Sequence, residues 1–139
     1  MKKFICLVFI TMFLSNSKSI GQKIELSIDR ITTLLCKKWE VDYVILGDMK
    51  LGRAQGATEI NYEFKKDKTY LATSKDPKEN IKGTWSFDSK KKIIKLIQNG
   101  KSRMSIISLK EEELIMLADT SEATPNDPME IKLVYKIKK

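Results

Sequence analysis

From residue 36 onward apolar residues recur with a period of two, the spacing of side chains that share one face of a β-strand. Trp39, Val41, Tyr43 and Ile45 alternate with Lys38, Glu40, Asp42 and Val44. Ile60, Tyr62 and Phe64 alternate with Glu59, Asn61, Glu63 and Lys65, the cleanest case. Tyr70, Ala72 and Ser74 form a weaker third. Ile81, Gly83, Trp85 and Phe87 alternate with Lys82, Thr84, Ser86 and Asp88. Residues 92–98 (KIIKLIQ) are strand-like without a clear face, and 104–109 and 114–118 are apolar runs of strand length. Ile131, Leu133, Tyr135 and Ile137 close the series. Eight strands are expected, each bounded by turn residues, and they carry every aromatic beyond residue 21.

Eight sequential strands laid flat would expose two edges and a whole apolar face. Closure removes both, so the expected fold is all-β, an eight-stranded antiparallel up-and-down barrel. A two-sheet sandwich is the alternative, but it uses long cross-connections, and most links here are short. Ile24, Ile28, Ile31 and Leu35 recur at helical spacing, so one short N-terminal helix precedes the strands.

Successive links of such a barrel lie at alternate ends. The short links at 67–68, 89–90 and 110–112 share one end. The long links 47–57 and 119–129 share the other with 76–80 and the Asn99-Gly100 hairpin, where both residues tolerate positive φ. The helix arrives at the short-link end and is expected to plug it. A mouth would be framed by residues 47–57, 76–80 and 119–129.

The first 21 residues read differently. Lys2-Lys3 is followed by the apolar run 4–14 (FICLVFITMFL) and then by small polar residues, the layout of a secretory signal. The run is shorter than the roughly 20 residues that span a bilayer. Residues 1–21 are expected to be a signal peptide cleaved after Gly21, and 22–139 one barrel domain, periplasmic or secreted, with no stable membrane insertion after cleavage. Cleavage removes Cys6 and leaves Cys36 without an internal partner. It also takes three of the 26 basic residues against 18 acidic ones, so the formal charge falls from +8 to +5. That moderate excess is spread along the chain. Lys90-Lys91-Lys92 reads as a solvated turn, and no nucleic-acid partner is expected.

The chain has no histidine, which removes the commonest general base and metal ligand. Cys36 alone makes neither a zinc site nor a Cys–His pair and reads as an inert, buried thiol. Glu111-Glu112-Glu113 reads as a solvated turn. Asp119, Glu122, Asp127 and Glu130 surround the last long link without calcium-loop spacing. No catalytic residue, cofactor or metal site is expected, and the chain is not expected to be an enzyme.

Four stretches point to a family. Residues 34–39 (LLCKKW) resemble the opening of the first strand in exported bacterial lipocalin-like domains, with Lys37 where those have the glycine of Gly-x-Trp. Residues 61–70 (NYEFKKDKTY) are similar to their second hairpin, and Gly83-Thr84-Trp85 to a mid-domain Gly-x-Trp strand. Residues 107–109 with Glu113-Leu114 resemble the late hairpin. The resemblance covers layout over the mature chain, and it implies a barrel that binds a small hydrophobic molecule in its interior.

The candidate ligand-binding set is therefore the expected inward face: Trp39, Tyr43, Tyr62, Phe64, Trp85, Phe87, Leu133 and Tyr135, with tyrosine hydroxyls as polar handles. Met49 and Leu51, on the glycine-flanked first link, are the candidate lid. An eight-stranded barrel is only just wide enough for its own side chains. The same residues therefore also fit a filled barrel that acts through its surface, as an interaction or envelope-associated module.

Overall fold

A computed structural model describes residues 23–52, 59–120, 126 and 129–139. The signal-peptide reading and Glu122 and Asp127 lie outside the described residues. Helix α1 (Ile28–Leu35) is followed by β1 (Lys38–Leu46), β2 (Met49–Gly52), β3 (Asn61–Phe64), β4 (Thr69–Thr73) and β5 (Ile81–Asp88). Then come β6 (Ile93–Gln98), β7 (Lys101–Leu109), β8 (Glu113–Ala118) and β9 (Ile131–Ile137). Every pairing is antiparallel, neighbours follow chain order from β3 to β9, and β9 returns to β1 along its length, from Trp39↔Ile137 to Leu46↔Ile131. The chain is a closed eight-stranded barrel, and the expected sheet closure holds.

The ninth strand is β2. The sequence suggests one long link at 47–57, but a tight turn at Gly47-Asp48 returns Met49–Gly52 along the upper half of β1. Gly47 takes φ +57°, which favours glycine. Its N–H donates to the Glu130 carbonyl at 3.1 Å, tying this hairpin to the start of β9. Strand β3 takes the lower half of β1 through Trp39↔Tyr62.

Helix α1 lies at the end of the three tight links. Ser27 caps it by accepting from the Arg30 N–H at 3.3 Å. The Ile24 N–H donates to the Lys92 carbonyl in the β5–β6 turn, and Arg30 pairs with Glu111 in the β7–β8 turn at 3.1 Å. Phe64 donates its backbone N–H to Lys37, just past the helix. Ile31, Leu34 and Leu35 are buried in the core. The expected stripe needs two corrections. Ile24 precedes the helix, and Ile28 is 43% exposed, because the buried face of the helix runs through Ile31, Leu34 and Leu35 instead.

The barrel interior is packed from the helix end up to Met116, which pairs with Leu133. Trp39, Val41, Trp85, Ile94, Leu96, Ile106, Leu114, Met116 and Tyr135 are all at most 1% exposed. Both indoles are anchored: Trp39 Nε1 donates to the Leu35 carbonyl and Trp85 Nε1 to the Lys65 carbonyl, each at 3.0 Å. Each burial of a large side chain removes its apolar surface from water, worth about 1.5–3 kcal/mol.

Candidate functional site

A β-bulge between Val41 and Tyr43 reverses the alternation of β1. Trp39 and Val41 face inward, and then Val44 and Leu46 do so in place of Tyr43 and Ile45. Tyr43 thus leaves the candidate set. It sits on the outer face with Lys50 Nζ 4.0 Å from its ring centroid.

Most of the remaining candidates lie toward the plugged end. Trp39, Trp85 and the half-buried Phe87 belong to it, where Phe87 pairs with Ile94. Tyr62 sits level with Trp39, Phe64 and Tyr70 flank the tight β3–β4 turn, and with Tyr135 they form one aromatic cluster. Tyr62 stacks on Phe64 at 5.8 Å, lies 5.9 Å from Tyr70 and meets Tyr135 edge-on at 5.4 Å. Leu133 is only half-buried and lies one step below the opposite rim, opposite Val44.

At that rim the inward apolar side chains stay partly exposed: Leu46, Ile60, Ile81, Met104 and Ile131 pack on the core from above without being covered. Leu46, Ile81, Met104 and Ile131 are the last inward residues of their strands on the long-link side, and Ile60 directly precedes β3. The sequence pattern places Ile60, Ile81, Met104 and Ile131 on strands but not Leu46, and it leaves all five out of the site. Their position beside the long links was the available signal. Strand β2 extends this lining. Met49 pairs with Leu46 and Leu51 with Val44, and directly paired residues share a face. Met49, 60% exposed, and the half-buried Leu51 therefore form a hydrogen-bonded lip on the mouth rather than a free loop above it.

The electrostatics set this interior apart from the turns. Burial, then the neighbouring Tyr70, pushes the Tyr62 hydroxyl up to about 12 from its ordinary value of 10.0. Burial, then Tyr62, raises Tyr135 as well. Burial also raises the Cys36 thiol, against the pull of Lys66 and Lys68. At the plugged end Asp67 is held low by hydrogen bonds from Thr69, and Asp88 by the backbone N–H of Lys91 and by Lys95. Among the described residues no group of three or more His, Cys, Asp or Glu side chains could hold a metal ion. Glu40 and Asp42 lie on β1 alongside Lys136, with Asp42 3.9 Å from Lys136, and Glu59 pairs with Lys75 at 3.2 Å.

The raised tyrosines make stability fall in alkali. Above pH 10 unfolded tyrosine releases its proton, while Tyr62 keeps its own until about 12. The folded state then holds more protons, so stability is complete below pH 10 and declines as pH rises through this window. Each tenfold difference in proton affinity between the folded and unfolded chain is worth about 1.4 kcal/mol, so Tyr62 alone accounts for a loss of about 3 kcal/mol across the window. Urea midpoints followed by circular dichroism should drop over that range, and Tyr62→Phe should flatten the drop. Tyrosinate absorbance rising fully near pH 10 in the folded protein would contradict this.

No helix among the described residues is long and apolar enough to cross a membrane. Compared with known proteins, the chain matches no family model, no curated protein and no solved structure.

Proposed function

We propose that this chain is an exported, non-catalytic barrel of the lipocalin-like kind that receives a small hydrophobic molecule at its mouth. One observation carries the reading: the barrel is packed and plugged at one end, while at the other a ring of inward apolar side chains stays partly exposed and is prolonged by Met49 and Leu51. Leaving such groups in water is unfavourable, and a concave apolar lining with few polar groups is the usual composition of a small-molecule site. The aromatic cluster supplies the floor on which the ligand rests. Export rests on the tripartite layout of residues 1–21.

Native mass spectrometry of protein purified from its own host tests both parts. The expected spectrum shows a chain beginning at Gln22 and carrying a small apolar adduct that organic extraction removes. Leu46→Asp should abolish the adduct. A bare mature chain that also ignores an added apolar fluorophore would refute ligand binding. That result would favour the filled barrel acting through its surface, a reading supported by the mutual packing of Tyr62, Phe64, Tyr70 and Tyr135 inside the barrel.

A further inference from the structure

The barrel carries a second concavity, on its outside. The register sets Lys95, Ser105, Leu117 and Lys132 side by side across β6, β7, β8 and β9. These positions alternate with the inward Ile94, Leu96, Ile106 and Met116, so they face out. Where the β8–β9 link leaves this face, a groove of about 520 Å³ opens, within the range of small-molecule sites. Ile93, Leu117 and the 53% exposed Met129 form its apolar parts, with Ser105 between them. Lys91 and Lys95 stand at its β6 side.

The charges in the groove are unequally satisfied. Lys95 pairs with Asp88 at 3.1 Å, and the groove's Glu130 pairs with Lys132 at 2.9 Å. Lys91 lends its backbone N–H to Asp88 at 3.0 Å, but among the described residues its ammonium has no ion pair. Among the described residues the groove therefore presents a cation without an ion pair on its β6 side and an apolar track leading away from it, with the carboxylates of Asp119 and Glu130 beside Ala118 and Met129. We propose that this outer groove is a separate binding site for a single-chain amphiphile with an anionic head, such as a long-chain carboxylate. The head lies at Lys91 and Lys95, and the chain crosses Leu117 towards Met129. This ligand is distinct from the one assigned to the mouth.

Calorimetric titration of the mature protein with oleate, below the concentration at which it forms micelles, tests the assignment. Monoolein serves as the neutral ligand with the same chain. Oleate should bind and monoolein should bind more weakly. Lys91→Glu should weaken oleate by about tenfold, equal to about 1.4 kcal/mol. Leu117→Asp and the groove-filling Ser105→Trp should abolish oleate binding, while the mouth variant Leu46→Asp should leave it unchanged. Circular dichroism confirms that each variant is folded. Absence of oleate binding, equal binding of monoolein, or full affinity in both Leu117→Asp and Ser105→Trp would overturn the proposal. Loss of oleate in Leu46→Asp alone would also overturn it, and would place that ligand in the mouth.

Discussion

Replacing Trp85 by alanine should cost about 3–5 kcal/mol, the range for emptying a large aromatic site in a packed core. Trp85 is 1% exposed and pairs with Leu96 across β5 and β6. It also closes the β3–β4 turn from inside. Its Nε1 donates to the Lys65 carbonyl at 3.0 Å, its backbone N–H to the Lys68 carbonyl at 2.8 Å, and Lys68 Nζ stands 4.1 Å from its ring centroid. Alanine would leave a void and remove the donor from the Lys65 carbonyl together. Domains of this size are stable by only about 5–15 kcal/mol, so the urea midpoint should fall far. Trp85→Phe keeps most of the apolar volume and loses chiefly the hydrogen bond, so it should cost about 1–2 kcal/mol. Similar small losses for both variants would show that Trp85 does not close this end. Because Trp85 lies far from the mouth ring, its loss should act through stability rather than through ligand contact.

Gly83→Ala should destabilise the barrel by about 1–3 kcal/mol, against the usual expectation for adding a methyl group to a strand. Gly83 pairs directly with Tyr70, whose ring covers it. A β-carbon there would come 2.6 Å from Cε1 and Cζ of Tyr70 and would press on the Ile97 carbonyl oxygen. The ring has little room to retreat, since Tyr62 and Phe64 lie 5.9 Å from it, centroid to centroid. Overpacking of this kind outweighs the gain of about 0.4–1 kcal/mol that a less flexible unfolded chain confers. Thermal unfolding of the single variant and of Gly83→Ala in a Tyr70→Ala background separates the two contacts. The ring clash disappears in the second, and the Ile97 contact remains. A neutral Gly83→Ala would mean that the Tyr70 ring does not rest on the glycine.

These two residues show what the mid-domain Gly-x-Trp does in the packing of this barrel. Glycine makes room for a neighbouring ring, and tryptophan seals the plugged end. Other local signals translated directly. Asn99 and Gly100 take φ of 51° and 75°, as their hairpin chemistry requires. Ser27 caps the helix, and the three tight links meet it at one end. The candidate site was harder to read. Along β1 the pairs Tyr43 and Ile45, Val44 and Leu46 are all apolar or amphipathic, so the pattern alone could not locate the bulge that turns Tyr43 outward. The outer groove joins residues of β6, β7 and β8, whose shared face depends on register, with Lys91, Met129 and Glu130 from outside the strands.

Strand number up to the β2 hairpin, the ends at which the links lie, and the approach of the helix followed from local rules: side-chain period, turn residues and cap residues act over a few positions. Which inward residues are entombed and which remain wet, and that Lys91 shares a groove with Leu117 and Met129, came only with the tertiary structure. Strand tilt, register shifts and the return of β9 to β1 determine those distances, and they arise from packing over the whole closed sheet rather than from any short stretch of chain.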